Sequence, residues 1–244
     1  MLQQLVSFLA LASVAFGAAL PDTTTGATNA LESTAPLPTG SDIPVTITPH
    51  PWYSSSQGIL GCKINTDHVA YWPSPVDCGE SMCLKLANEG REVYVLRVDQ
   101  SKPYGQTPPA HDVSYNAWNY LSIGQWATEN ATEGGGIDVT YSTIPMTDPN
   151  CQALLLNPEK KLPVSAGTSM IYVKKCLGQP GSWASTNIGL WNIQTQACTL
   201  GYDEECVVVA GDPSCAHPVN TGPAITNLPV KNVEYGTGNL VLAT

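Results

Sequence analysis

The chain carries eight cysteines, all downstream of an apolar leader: Cys62, Cys78, Cys83, Cys151, Cys176, Cys198, Cys206 and Cys215. An even number in an exported protein reads as a disulfide framework, and such a framework limits the chain to folds that bring these positions together. Eight cysteines allow about 105 pairings, so the connectivity stays open at this level. No Cys-x-x-Cys pair occurs, which argues against a zinc site or thiol exchange. Export is inferred from residues 1–18, read as a signal peptide. They have an apolar core from Leu5 to Phe16 and small residues at Ala15-Phe16-Gly17, although no Lys or Arg precedes the core. This stretch is short for a membrane span, and no later segment is apolar over the needed length. The last residues, Gly238 to Thr244, are too short for a lipid-anchor signal. The mature protein is expected to be soluble, extracellular or wall-associated, and monomeric.

The formal net charge is −10. An acidic surface disfavours nucleic acid and anionic membranes as partners. Glu133-Gly134-Gly135-Gly136 lacks the following Lys and helix of a phosphate-binding loop and reads as a turn. His50, His68, His111 and His217 have no metal-ligand spacing, so no metal and no cofactor are expected. No Gly-x-Ser-x-Gly segment supports a serine nucleophile. Asn130-Ala131-Thr132 is an N-glycosylation sequon, which places Asn130 in an exposed loop.

Residues 19–57 are rich in Thr, Pro, Ser, Gly and Ala and read as a linker or propiece without a core. From 58 to 151 short apolar runs alternate with Gly, Pro and Asn turns, the pattern of a mainly β module. Strands are expected at His68–Trp72, Met82–Leu86, Glu92–Val98 and Ile137–Ile144. Ser114 is a candidate N-cap for one helix, Tyr115–Leu121, with Tyr115, Trp118 and Leu121 at helical spacing. Residues 152–244 form a cysteine-containing extension of open fold, with a possible edge strand at Asn232–Tyr235.

Four segments, taken in order, carry a family resemblance. Cys83 opens a strand that leads to a turn at Gly90. Val93-Tyr94-Val95-Leu96-Arg97-Val98 ends in Asp99. Asp112-Val113-Ser114 is followed by Ala117 and Leu121. Gly136 precedes Ile137-Asp138-Val139-Thr140-Tyr141, and Cys151 closes the run. This order resembles the six-stranded double-psi β-barrel family of barwin, expansins, loosenins, bacterial rare lipoprotein A and family-45 glycoside hydrolases. The wider arrangement, with Trp72-Pro73-Ser74-Pro75 before it and cysteines after it, also looks like secreted proteins of filamentous fungi. The resemblance implies a double-psi barrel that engages cell-wall polysaccharide of the glucan or chitin class. The departures are specific. No Tyr-x-Asp-Cys-Cys segment of the hydrolases is present, His111 and Asp112 are adjacent where expansins have His-Phe-Asp, and no expansin-type second domain follows Cys151.

Glycoside hydrolysis uses two carboxyl groups, a proton donor and a base or nucleophile. Asp112 matches the family's shared aspartate and is the candidate acid, with Asp99 as its partner and Asp67 and Asp77 as further candidates. The competing readings have Asp99 bonding loop amides and Asp112 capping the helix or ordering a turn. Tyr71, Trp72, Tyr104 and Trp126 could stack on sugar rings, and His111 could tune Asp112. One acid without a clear base favours binding or loosening a glucan over cleaving it. The expected function is thus non-hydrolytic and expansin- or barwin-like. A weak endoglucanase or lytic transglycosylase is the second reading, and an effector that binds a host or wall protein the third.

Overall fold

The computed structural model describes residues 40–101 and 110–243. The expected signal peptide and Tyr104 lie outside the described residues.

Six strands close into a mixed barrel: β1 (Ile43–His50), β2 (Val69–Trp72), β3 (Cys83–Asn88), β4 (Arg91–Gln100), β5 (His111–Ser114) and β6 (Ile137–Ile144). Their order around the barrel is β1-β5-β2-β4-β3-β6. The β1–β5 and β2–β4 pairs are parallel and the others antiparallel. Helix α1 (Tyr115–Ile123) leaves β5 directly, with Ser114 as its N-cap and Gly124 closing it at φ 80°. Ser114 makes no side-chain cap bond there, because its hydroxyl donates instead to the Asp67 carbonyl. The β3–β4 hairpin turns on Glu89 and Gly90, both at positive φ (49° and 79°), the backbone a two-residue hairpin with strand-matched twist requires.

Strand β1 corrects the reading of residues 19–57 as linker throughout. Ile43, Val45 and Ile47 alternate with Pro44, Thr46 and Thr48, and the strand pairs with β5 on one side and β6 on the other. The barrel therefore begins before residue 58. A composition average over the whole Thr/Pro-rich stretch hides this short period-two pattern, and two prolines inside a run argue against a strand.

Past the barrel come α2 (Pro149–Ala153), β7 (Leu162–Ser165), α3 (Met170–Leu177), α4 (Ala184–Asn187), β8 (Ile188–Ile193), β9 (Gly201–Val209) and β10 (Asp212–Ser214). A hairpin of β11 (Lys231–Val233) and β12 (Leu240–Leu242) ends the described chain. Strands β10-β9-β8-β7 form one sheet. Two cores result. The barrel interior holds Ile47, Trp72, Leu84, Leu86, Val93, Val95 and Val113. The second core joins the outward side chains Val69, Tyr71, Leu96 and Val98 of the barrel to Leu162, Val164, Leu190, Trp191 and Ile193 of the four-stranded sheet. Both faces of β2 and β4 are thus covered, which explains their near-continuous burial. Among the described residues no helix is long and apolar enough to cross a membrane.

All eight cysteines are paired: Cys62–Cys198, Cys78–Cys176, Cys83–Cys151 and Cys206–Cys215. The first spans 136 positions and ties the segment ahead of β2 to the four-stranded sheet, whereas the last closes a separation of 9 within that sheet's edge. Cross-links act mainly by restricting the unfolded chain, more so for longer loops. Replacing Cys62 and Cys198 together by Ala is expected to cost about 2–5 kcal/mol, or about 10 °C in Tm for a chain of this size. The Cys206/Cys215 pair should cost less. Thermal unfolding of the two double variants checks the ranking, and equal losses would contradict it.

Candidate functional site

The strand register gathers chemistry at one end of the barrel. Tyr71 on β2 lies opposite Asp112 on β5 and opposite Asp99 on β4. On the far side of β5, Thr48 pairs with Asp112 and His50 with Ser114. The Thr48 hydroxyl donates to Asp112, and the His50 ring packs on Tyr71 with centroids 4.2 Å apart. Asp112 is half-buried and leaves the helix cap to Ser114. Burial lowers the pKa of His50, against the opposing pull of the Asp112 and Asp99 carboxylates, so its imidazole stays neutral at neutral pH. Tyr71 is buried, and this pushes its phenol pKa far up. Its hydroxyl donates to the Trp52 carbonyl (3.0 Å) and accepts from the Ser54 amide (3.2 Å), which fixes the turn after β1 over the site.

Asp99 is placed differently from a free carboxylate. It is 8 % exposed, and both oxygens are engaged. The Ser56 amide (2.6 Å) and hydroxyl and the Gln100 amide (2.8 Å) all donate to it. With Ser55 Oγ donating to the Val98 carbonyl (2.7 Å), these bonds staple the 51–60 loop to the end of β4. The reading in which Asp99 bonds loop amides describes these contacts. Asp77 is likewise engaged in local bonds. It accepts from the Gly79 amide (2.8 Å), the Ser81 amide and the Ser81 hydroxyl, and it lies 3.7 Å from the Arg97 guanidinium.

Asp67 sits closer to the site. It belongs to a single helical turn, Thr66–His68, whose start is capped by Asn65. It faces a narrow cleft shared with His50, Trp52, Tyr71, Asn116 and Lys231, with room for about one water molecule. Burial raises its pKa, partly offset by His68 and by a hydrogen bond from Asn116. The Asn116 side-chain oxygen is buried without a hydrogen-bond partner among the described residues.

The expected aromatic platforms are mostly withdrawn from solvent. Trp72 is fully buried inside the barrel, edge-on to His111 (4.8 Å) and Tyr141 (5.7 Å). Tyr71 is buried on the other face of the same strand. Neither offers a ring face to a sugar. Trp126 is half-buried on the barrel flank, stacked on Tyr120 (4.4 Å, 16° between planes) and against His68 (5.3 Å). The aromatic presented at the site is Trp52, 58 % exposed on the cleft rim. Sequence reasoning passed over it, because it falls in the segment read as linker. The signal that could have found it is the Ile43–His50 alternation, which makes Trp52 a residue just past a strand end.

His111 also turns toward Trp72 rather than beside Asp112. Burial and the nearby Arg97 guanidinium depress its pKa to about 4. Between about pH 4 and the ordinary value of about 6.5 the unfolded chain binds a proton that the folded chain does not. Stability contributed by neutral His111 is therefore present above pH 6.5 and is lost as the pH falls toward 4. His111→Gln should flatten the Tm-versus-pH curve over this interval. An unchanged slope in the variant would show that His111 does not carry it.

Among the described residues no group of three or more His, Cys, Asp and Glu side chains could hold a metal ion. No protein-family model matches the chain, and no curated protein matches it.

Proposed function

We propose that this is an exported barrel protein of the barwin- and expansin-like type. It binds or loosens cell-wall polysaccharide of the glucan or chitin class without hydrolysing it. The closed six-stranded mixed barrel and the four disulfides support the family reading, being compatible with a double-psi barrel in an oxidising compartment. The observation that carries the functional reading is the asymmetry of the two expected carboxylates. Asp112 remains half-buried, held by the Thr48 hydroxyl and near enough to His50 to oppose the lowering of its pKa, while Asp99 has both oxygens committed to Ser56 and Gln100. Hydrolysis of a glycoside needs a second carboxyl group free to act as base or nucleophile, and Asp99, the partner expected for Asp112, is not free in this way. Asp67 shares the cleft with exposed Trp52, and a carboxyl group near an aromatic face can hold a sugar hydroxyl while the ring seats a pyranose.

The test incubates mature protein with insoluble cellulose, chitin, xylan and β-1,3-glucan, and reads bound protein and released sugar in the same tubes. Binding without release is expected. Reducing ends or anhydro-sugars that vanish in Asp112→Asn would make the protein a glycoside hydrolase or lytic transglycosylase. Neither binding nor release would shift the function to a protein partner at the host or wall surface.

A further inference from the structure

The sequon Asn130-Ala131-Thr132 stands in an unusual frame. Residues 126–130 form one helical-type turn, in which the Asn130 amide donates to the Trp126 carbonyl (2.9 Å). Residues four apart in such a turn lie one above the other. Asn130 is exposed, and its side-chain amide donates to Gln125 Oε1 (2.6 Å) immediately before Trp126. The turn is clamped from inside by Asn119, which is fully buried. Asn119 Nδ2 donates to the carbonyls of Gln125 (2.8 Å) and Asn130 (2.9 Å), and its Oδ1 accepts from the amide (3.0 Å) and hydroxyl (2.7 Å) of Thr132. The backbone of the acceptor segment is thereby held in place, while Asn130 is exposed and stands one turn beyond Trp126, whose ring stacks on Tyr120.

We propose that Asn130 carries an N-linked glycan whose first sugar seats against the Trp126–Tyr120 pair, so that this aromatic patch serves the protein's own sugar and not a wall polysaccharide. The inference rests on the export reading, because the transfer takes place in the secretory compartment. In that step Asn130 Nδ2 bonds to C1 of an oligosaccharide carried on a polyprenyl diphosphate. The bond from C1 to the diphosphate oxygen breaks, the lipid diphosphate leaves with the electron pair, and one amide proton passes to base. The N–H that remains on Nδ2 can keep its bond to Gln125. The attached sugar then covers the exposed edge of a ring pair that is already stacked and that His68 also contacts.

The full chain would be expressed in a glycosylating eukaryotic host in two forms, one with its own first eighteen residues and one with a foreign leader replacing them. The secreted protein is expected to lose mass on treatment with a peptide-N-glycan amidase. Asn130→Gln should remove that shift, and Thr132→Ser, which keeps the sequon, should retain it. Oxidative footprinting of the Trp126 peptide should show about twofold less modification in the glycosylated protein than in Asn130→Gln, as expected for a sugar covering the exposed edge of the ring pair. A glycan in the foreign-leader form alone would support the site and overturn the export reading. Secretion without any mass shift would overturn the site. A glycan with unchanged Trp126 oxidation would overturn the seating.

Discussion

Arg97→Met is expected to destabilise the protein by about 3–5 kcal/mol, the cost of breaking a buried, hydrogen-bonded charge. For a chain of this size that is a fall of more than about 10 °C in Tm. Arg97 has no exposed surface, and burial lowers its pKa against the pull of Asp77. Its guanidinium reaches the β2–β3 connection with both terminal nitrogens. One donates to Ser81 Oγ (2.6 Å), and the other to the Ser74 carbonyl (2.8 Å), Ser74 Oγ (2.9 Å) and the Pro75 carbonyl (3.2 Å). The loop therefore folds over the barrel around a planar fork of donors. Methionine keeps the stem and removes every one of these bonds, leaving buried acceptors unpaired. Lysine, a point charge, can serve one of the two serines and should recover only part of the loss. Equilibrium urea unfolding of both variants gives the numbers. A loss under about 1 kcal/mol for Met would show that solvent or the loop itself replaces the fork.

The second large effect concerns binding. Trp52→Ala removes the exposed ring at the cleft rim, and Asp112→Asn removes the charge that Thr48 orients. Covering one aromatic ring contributes about 1.5–3 kcal/mol, and a hydrogen bond to a charged group a similar amount. Each substitution should therefore weaken polysaccharide binding by about 10- to 100-fold. Neither touches a core. Trp52 is exposed, and Asn is nearly isosteric with Asp and still accepts from Thr48, so Tm should change little. A parallel loss of stability would mean that the binding effect is indirect. Trp126→Phe serves as a comparison, because the barrel flank is separate from the cleft-lining residues and the change should leave binding intact.

Much of the barrel was legible. Strands β2, β3, β4 and β6 and helix α1 stand where alternation and helical spacing put them, because each is bounded by turn residues and carries its own period. Two strands were not read. In β1 the prolines and threonines masked the alternation, and β5 is only four residues long and runs straight into α1. The pairing of Tyr71 with both aspartates depends on which strands become neighbours, and nothing local in the sequence states it. The binding of Asp99 is equally non-local, since its donor Ser56 lies 43 residues earlier. Tyr71 and Trp72 are withdrawn from solvent for another reason. Both stand at the end of a short strand, where a ring can line a groove. Here the four-stranded sheet covers the outer face of β2, and both are buried. The eight cysteines announced a framework, but its connectivity appeared only with the fold.

The decisive measurement is a depletion isotherm of the mature protein on the insoluble polysaccharide that retains it best, run beside Trp52→Ala and Asp112→Asn, with soluble sugars in each supernatant analysed by mass spectrometry. Saturable binding by the wild type, weakened about tenfold or more in both variants and accompanied by no soluble sugar above the protein-free control, is the predicted result. Sugar products that depend on Asp112, or binding that both variants retain in full, would contradict it.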